Sequence, residues 1–324
     1  MENKQKVKIA VIGVGNMGWN HLRIYSRFPN VEIRYIVDKN SKRARFLAEE
    51  HHVPYTIDYK KILKEVDAVS IATPTSTHFE IALNCLKAGK DILVEKPLTN
   101  NLKEAQILVE CAKRKNLVLQ VGHVERFNPA VEALTQIVDS KKIVFIEGKR
   151  IGPFHKKKVD TGVILDLMIH DLDIILDLCK DEVEKIYATG KSIKTQEEDI
   201  VTVQLLFKRG ILVNLIASWI ASIRKRELAL IQPPYYIHVN YLNRTLTLHQ
   251  KEVINYQNLE NKTALFSEKR IQEIQIPFRE PLEEELSHFI QCILKRTTPI
   301  VDGEKAFKVL QLAFRIKKAL KLIK

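Results

Sequence analysis

The sequence predicts an α/β protein: a doubly wound parallel sheet comes first, and an α+β domain with an open-faced, mostly antiparallel sheet follows it. Three observations predict this class. The chain has 324 residues, more than one domain usually holds. Short β-branched runs alternate with amphipathic helical segments up to about Val121, whereas strand-like runs follow one another after Phe127. We therefore expect a first domain at 1–122, a second at 123–302 and a closing helix at 303–324.

The first domain is built from five predicted strands: VKIAVIG, EIRYIVD, AVSIAT, DILVEK and LVLQVG. Helical segments are predicted between them at 20–27, 41–51, 78–87 and 101–116. Each strand is thus separated from the next by a helix, and parallel neighbours need such crossover connections. The alternation therefore predicts a parallel sheet covered by helices on both faces.

The second domain begins with predicted helices at 129–139 and 163–179. Its strand-like runs are KIVFIEGKR, EKIYATGKSI, DIVTVQLLF, ILVNLIASW and four further runs between ELALI and IQEIQIP. The stretch LLFKRGILV predicts a hairpin that turns at residues 208–210. Helices at 282–295 and about 304–323 close the chain, and the last has an amphipathic period that lets it pack back on the first domain.

Composition narrows the class of protein. The 52 basic and 39 acidic side chains give a net charge of +13, which suits anionic small molecules, nucleic acid or an anionic membrane. The basic residues are dispersed and no nucleic-acid-binding motif occurs, so we expect no nucleic acid partner. The longest apolar stretch, GILVNLIASWIASI, is too short to cross a membrane, and no signal peptide is recognisable. Four cysteines without a CxxC pair fit a reducing cytoplasm.

A glycine-rich turn stands between the first strand and the first helix. Gly13, Gly15 and Gly18 form G-x-G-x-x-G, with Asn16 and Met17 inside the motif. In this context the glycines allow a tight turn, close approach of the backbone to a pyrophosphate, and packing of helix on strand, while the helix N-terminus attracts the phosphates. The turn predicts a Rossmann domain that binds a dinucleotide.

Asp38 ends the second predicted strand, 20 residues after Gly18. A carboxylate there accepts hydrogen bonds from a ribose 2′-hydroxyl and repels a 2′-phosphate. Asp38 therefore favours NAD over NADP, although Lys39, Lys42 and Arg43 follow it and weaken the discrimination.

Three further stretches, ATPTSTH at 72–78, VEKPL at 94–98 and GVILDLMIHDLD at 162–173, carry a family resemblance. Together with the glycine turn, they resemble the Gfo/Idh/MocA family of glucose–fructose oxidoreductases and inositol dehydrogenases over essentially the whole chain. The resemblance implies a Rossmann domain, a second domain with an open-faced sheet, substrate between the two, and homodimers or homotetramers built through the sheet.

The resemblance also implies roles for particular residues. Lys96 is expected near the nicotinamide and the reacting hydroxyl, before a cis proline at Pro97, and Asp166 and His170 are the matching residues of the third motif. The stretch ATPTSTH follows a strand at the edge of the sheet where cofactors lie. The further cofactor contacts that we expect are Thr73, Pro74, His78 and Glu95, although His78 can instead simply begin a helix and Glu95 can pair with a lysine.

Asp166 and His170 are four residues apart on an apolar helix, so both project from one face. Oxidation of a secondary alcohol needs a base and a group that stabilises the developing alkoxide. His170 suits the base and Lys96 the alkoxide, although these two roles can be exchanged, and Asp166 can orient the hydroxyl or the histidine. A divalent metal held by Asp166, His170 and Asp173 is the rival interpretation, but Lys96 would repel the cation, and we predict no metal.

The substrate class follows from the resemblance too. Two stretches look most like the members of the family that oxidise the 3-hydroxyl of UDP-N-acetylglucosamine. They are GHVERFNPAV at 122–131 and RIGPFHKKKVDTGVILDLMIHD, which begins at residue 150 and includes most of the third motif. This implies a nucleotide-sugar substrate and coupling to a sugar transaminase. Arg126, Asn128, Arg150 and the HKKK loop at 155–158 are the expected substrate contacts, since arginine and lysine suit a pyrophosphate.

Other functions stay open at this point. The chain can belong to a related sugar, inositol or nucleotide-sugar dehydrogenase, or can reduce a ketone with the same residues. A non-catalytic protein that senses a dinucleotide is the alternative from a different class, and the presence of both Lys96 and His170 disfavours it.

Overall fold

The computed structural model describes residues 6–154, 161–251 and 269–323. The chain divides into two compact units, Met1–Phe127 with Glu280–Leu312, and Asn128–Arg279 with Ala313–Lys324. Each unit contains one large sheet, and the predicted fold class is confirmed.

The first unit is a six-stranded parallel sheet in the order β3-β2-β1-β4-β5-β6. The strands are β1 (Val7–Ile12), β2 (Val31–Val37), β3 (Tyr55–Thr56), β4 (Ala68–Ile71), β5 (Asp91–Glu95) and β6 (Leu119–Gly122). The connecting helices are α1 (Asn16–Tyr25), α2 (Ser41–His51), α3 (His78–Lys87) and α4 (Leu102–Arg114). The strands β4, β5 and β6 are buried throughout, as expected for parallel strands covered on both faces.

Local side chains set the helix starts in this unit. The Asn40 side chain accepts a hydrogen bond from the backbone N–H of Arg43 at the start of α2, and Asn101 accepts one from Lys103 at the start of α4. Asparagine is a strongly preferred N-cap because its oxygen satisfies an amide that the helix leaves unpaired. By contrast, no side chain of the described residues caps α1, which begins directly after Gly15.

A late helix completes the core of the first unit. Helix α7 (Pro281–Lys295) contributes Leu286, Phe289 and Ile290 to the same buried cluster as Val11 and Leu22. The predicted bounds placed this helix in the second domain, whereas the structure groups residues 280–312 with the first unit. The physical reason is that the apolar face of α7 covers β1 and α1.

The second unit contains a nine-stranded sheet in the order β14-β13-β12-β11-β7-β10-β9-β8-β15. The strands are β7 (Phe145–Ile151), β8 (Val183–Lys191), β9 (Ile200–Phe207), β10 (Leu212–Ser218), β11 (Lys225–Gln232), β12 (Tyr235–Asn240), β13 (Thr245–Lys251), β14 (Lys269–Ile274) and β15 (Leu320–Leu322). The helices are α5 (Pro129–Ile137) and α6 (Ile169–Cys179). Helix α8 (Gly303–Ala319) begins in the first unit and continues from Ala313 in the second, where it leads into β15. All neighbours are antiparallel except β7–β10 and β8–β15, so the predicted mostly antiparallel sheet is confirmed.

The predicted hairpin is present as β9 and β10. The backbone N–H of Phe207 donates to the Ile211 carbonyl, and Gly210 adopts a φ of +87°. Glycine suits this position because other residues rarely adopt a positive φ.

The helix predicted at 163–179 has two parts. Residues Ile164–Met168 form a π-helical turn, and α6 continues from Ile169. A π turn contains one residue more than an α-helical turn, and such turns occur frequently at functional sites. In the part of the chain that the structure describes, no helix combines the length and apolar character that a membrane crossing requires.

Candidate active site

The glycine turn of the first unit is shaped for close approach of a ligand. A Cβ atom at Gly18 would lie 1.8 Å from the Gly13 carbonyl oxygen, and one at Gly13 would lie 2.7 Å from Thr73 Cγ2. A Cβ at Gly15, by contrast, would meet nothing within 4 Å. The glycines at 13 and 18 therefore serve backbone packing, while Gly15 borders open space before the uncapped start of α1, where an anion is favoured.

Asp38 is bonded to the glycine turn itself. One carboxylate oxygen accepts from the Val14 N–H at 2.8 Å, and the other accepts from the Asn40 N–H at 2.8 Å. The carboxylate is half-buried and keeps lone pairs for further donors. Asp38 thus stands where ribose hydroxyls would meet it, and also stabilises the turn.

The segment 95–97 follows β5 at the carboxyl edge of the sheet. Lys96 is half-buried and the Lys96–Pro97 peptide bond is cis. The Glu95 carboxylate contacts Nε2 of His21 at 3.1 Å, and the other ring nitrogen of His21 lies 2.7 Å from Ser70 Oγ. Glu95 is therefore held in a buried polar network.

Sequence reasoning missed His21, although a signal was available. His21 lies on the face of α1 that also carries the buried residues Gly18, Leu22 and Tyr25. A histidine on a buried apolar face must find polar partners, so this position predicts a hydrogen-bond network beneath the glycine turn.

His123 and Arg126 share the electrostatic surroundings of Lys96. Burial and, to a smaller extent, the positive charges of Lys96 and Arg126 together lower the pKa of His123 to about 3. His123 is consequently neutral at physiological pH. The ring adds no second positive charge beside Lys96.

The remaining predicted cofactor contacts of the first unit differ in exposure. Pro74 is exposed, Asn16 and Met17 are exposed at the start of α1, and Thr73 is half-buried. His78 is only 1% exposed, and both of its ring nitrogens face backbone carbonyls. His78 begins α3, as the alternative interpretation of this residue expected.

In the second unit, Asp166 lies on the π-helical turn and His170 on α6. Asp166 is half-buried and His170 is 8% exposed. The start of the turn is held by Glu198, whose carboxylate accepts from the Ile164 N–H at 3.2 Å. A Cβ at Gly162 would lie 2.2 Å from this carboxylate, so a larger residue there would displace Glu198 from the start of the turn.

Arg150 is engaged within the second unit. Its guanidinium donates to Asp171 at 2.8 Å and 3.0 Å, and lies 5.0 Å from the centre of the Tyr241 ring. Both charged side chains are buried. Arg150 stands on the inward face of β7, and its observed partner is Asp171, which sequence reasoning did not single out. The substrate contact that the resemblance implies for Arg150 stays a prediction beside this observed ion pair.

Asn128 caps α5 through the Ala130 N–H at 3.1 Å, and its amide nitrogen donates to the Tyr241 carbonyl. The HKKK loop at 155–158 lies outside the described residues. Within the described ranges, no three His, Cys, Asp or Glu side chains are grouped to hold a metal ion.

The structure brings the glycine turn, Asp38, Thr73 and Glu95–Pro97 together at the carboxyl edge of the first sheet. Lys96 and Arg126 belong to the first unit, whereas Asn128, Asp166 and His170 belong to the second. The fold and this edge define the class of protein, a two-domain oxidoreductase that uses a nicotinamide dinucleotide.

Two family models match the chain. The model described as an oxidoreductase family with an NAD-binding Rossmann fold covers residues 7–123, and the GFO/IDH/MocA C-terminal domain covers residues 145–239. The chain belongs to the Gfo/Idh/MocA oxidoreductase family, as the resemblance implied. Its cofactor is NAD.

Relatives from several organisms resemble the chain along its length. UDP-N-acetylglucosamine 3-dehydrogenase of Acidithiobacillus ferrooxidans is 31% identical over 97% of both chains. A solved structure of that enzyme has a TM-score of 0.88 and covers 97% of this chain and 98% of its own. The NAD-dependent scyllo-inositol 2-dehydrogenase of Bacillus subtilis is 28% identical over 92% of this chain and 89% of its own. Myo-inositol 2-dehydrogenase of Thermotoga maritima is 26% identical over 97% of this chain and 96% of its own.

Proposed function

We propose that the chain oxidises the 3-hydroxyl of UDP-N-acetylglucosamine to a ketone, with NAD as the oxidant. The observation that carries this proposal is the 31% identity to UDP-N-acetylglucosamine 3-dehydrogenase over 97% of both chains. The product is a 3-keto sugar nucleotide, which a transaminase converts to a 3-amino sugar for lipid A or a surface polysaccharide.

The first unit suits the cofactor by its geometry. The open space at Gly15 admits a pyrophosphate against the start of α1, and the Asp38 carboxylate suits the adenosine ribose. We propose that the cofactor contacts are Gly13, Gly15, Asn16, Met17, Gly18, Asp38, Thr73, Pro74, Glu95, Lys96 and Pro97. When bound, NAD accepts the hydride from the carbon that carries the reacting hydroxyl.

The residues of the chain supply the proton chemistry in this proposal. The Lys96 ammonium stabilises the oxygen as negative charge develops on it, since a fixed positive charge is worth more in a partly buried site than in water. The neutral His123 adds no second positive charge beside Lys96. His170 takes the hydroxyl proton, and Asp166 orients the hydroxyl or the imidazole. Arg126, Asn128 and Arg150 are the proposed sugar-nucleotide contacts.

Oxidation of an inositol is the second candidate function. It is favoured by the two inositol dehydrogenases that match 92% and 97% of the chain. Both candidates need the same base and the same alkoxide stabilisation, so only the substrate distinguishes them.

A substrate panel tests the proposed function. Purified protein is mixed with NAD and, in separate reactions, UDP-N-acetylglucosamine, its uronic acid, UDP-glucose, inositol and free sugars. Glutamate and a 3-ketosugar transaminase remove an unfavourable ketone. We expect nicotinamide reduction with UDP-N-acetylglucosamine alone, and its loss in His170→Ala. Reduction with inositol instead would assign the second candidate, and no reduction with any sugar nucleotide would refute the first.

We further propose that the protein is a homodimer or homotetramer joined through the outward face of the second sheet. One cross-strand row on that face is largely apolar and contains Leu212, Phe145, Ile231, Tyr236, His249 and Ile271. Leu212 is 53% and Ile271 is 57% exposed. Exposed apolar rows of this kind mark association surfaces.

Light scattering tests the proposed association. We expect a molar mass of two or four chains for the wild type and of one chain for the double variant Leu212→Lys/Tyr236→Lys, because two ammonium groups would be buried in the interface. The control is Ile223→Lys, which changes an exposed apolar residue outside the row. A monomeric wild type, or a double variant of unchanged mass, would contradict the assignment.

A further inference from the structure

The ring of His78 lies between two backbone carbonyl groups. Its Nδ1 is 2.9 Å from the Pro97 oxygen, and its Nε2 is 2.9 Å from the Thr73 oxygen. A carbonyl oxygen accepts hydrogen bonds and donates none, so each contact needs a proton on the ring. The geometry therefore accommodates two N–H donors in one buried imidazole.

The two carbonyls belong to the two segments that leave neighbouring strands. Thr73 lies in the turn after β4, and Pro97 lies in the segment after β5, directly following Lys96. In parallel sheets of this kind, ligands bind outside the carboxyl ends of the strands. The His78 ring thus links two segments at the edge where the cofactor binds.

Thr73 extends this link to the glycine turn. Its Oγ1 accepts a hydrogen bond from Thr77 Oγ1 at 2.8 Å, which fixes the turn after β4. Its methyl carbon occupies the space beside Gly13, where a Cβ atom would come within 2.7 Å of it. A displacement of Thr73 would therefore shift the glycine turn as well. The His78 ring connects the Thr73 turn to the segment that contains Lys96 and Pro97.

We propose that His78 is a positioning residue. Its ring ties the Thr73 turn to the Lys96–Pro97 segment, and so fixes the position of Lys96 relative to the glycine turn. The proposal rests on the function proposed above for the role of Lys96. The tie involves residues of the first unit alone. It therefore affects the affinity for NAD whichever alcohol the protein oxidises.

The charge of the ring decides how complete the tie is. Burial lowers the pKa of His78, while the Pro97 and Thr73 carbonyls and the negative charge of Glu95 raise it only in part. The folded pKa thus lies below the ordinary value for histidine. The imidazolium donates to both carbonyls, whereas the neutral ring donates to one. The tie is accordingly complete at acid pH, and loses one of its two hydrogen bonds as the pH rises through the lowered pKa.

Two variants and a control test the proposal. His78→Phe removes both donors and keeps an aromatic ring, whereas His78→Gln keeps an amide that donates without titrating. His51→Phe changes a histidine at the end of α2, away from these carbonyls. For each protein, the dissociation constant of NAD and the kcat and KM of the sugar nucleotide are measured between about pH 4.5 and about pH 7.5. This range extends well below the ordinary histidine pKa of about 6.5, because the pKa of His78 is lowered from that value. A thermal midpoint shows that each variant is folded.

We expect kcat of His78→Phe to fall by about 10- to 100-fold with little change in KM, because small displacements of a catalytic group cost factors of this size. The dissociation constant of NAD should rise severalfold. His78→Gln should recover part of the lost kcat and part of the lost NAD affinity. We expect the wild type to bind NAD more tightly at acid pH, and His78→Gln should not show this pH dependence. His51→Phe should match the wild type in every measurement.

A folded His78→Phe variant with the kcat and NAD affinity of the wild type would overturn the proposal. If His78→Phe does not fold, His78→Gln becomes the decisive variant, and a pH dependence of NAD affinity equal to that of the wild type would overturn the proposal. A wrong substrate assignment gives a different result: turnover is then absent in the wild type as well, while the NAD titrations still separate His78 variants from the control.

Discussion

Lys96→Met is expected to lower kcat by about 10³-fold or more, while the dissociation constant of NAD changes by less than about threefold. The methionine side chain retains the bulk of the lysine stem but supplies no charge to the developing alkoxide and no proton. NAD binding depends mainly on the glycine turn and Asp38, which the substitution does not touch. Single-turnover formation of NADH with UDP-N-acetylglucosamine and a fluorescence titration with NAD give the two quantities.

The control for this prediction is Lys103→Met, which removes the same charge from an exposed position in α4. It should leave both quantities at the wild-type level. His170→Ala should also lose turnover and retain NAD. Near-normal rates in both Lys96→Met and His170→Ala would refute the proposed roles of the two side chains.

Arg150→Met is expected to destabilise the second unit by about 3 to 5 kcal/mol, because it leaves the buried Asp171 carboxylate without its guanidinium. The substitution also removes the cation–π contact with Tyr241. Asp171 is the neighbour of His170 on α6, so we expect turnover to fall as well. Urea unfolding followed by circular dichroism measures the loss of stability as a lower midpoint.

The double variant Arg150→Met/Asp171→Leu is the informative comparison. Replacing both members of a buried ion pair by apolar residues is often neutral or stabilising, so most of the lost stability should return. If Arg150→Met alone unfolds at the wild-type midpoint, the ion pair is not a stabilising element of this unit.

Much of the first unit could be predicted because its signals are local. The glycine spacing between a strand and a helix, followed by Asp38, identifies the Rossmann unit without further information. The position of α7 could not be predicted in the same way. Its amphipathic period shows that one face is buried. The period does not show that Phe289 and Ile290 pack in the core of the first unit with Val11.

The site was only partly predictable for a related reason. Residue type identifies Lys96 and His170 as chemically competent, but the roles of buried polar residues depend on their partners. Arg150 alternates with the inward residues Ile146 and Gly148 along β7, which predicts burial, whereas its partner Asp171 is 21 residues away in sequence. The π-helical turn was missed because one additional residue hardly changes the apolar period of a short helix.

The discontinuous first unit has a consequence for biosynthesis. Residues 1–127 leave the ribosome long before α7, so the apolar surface that later receives Leu286 and Phe289 stays uncovered while residues 128–279 of the second unit are translated. Domains usually complete their folding in order along the nascent chain. Here the order is interrupted, since the first unit can finish its core only after residues 128–279 of the second unit have been made. A chaperone that binds apolar surface would therefore act on the unit that is synthesised first.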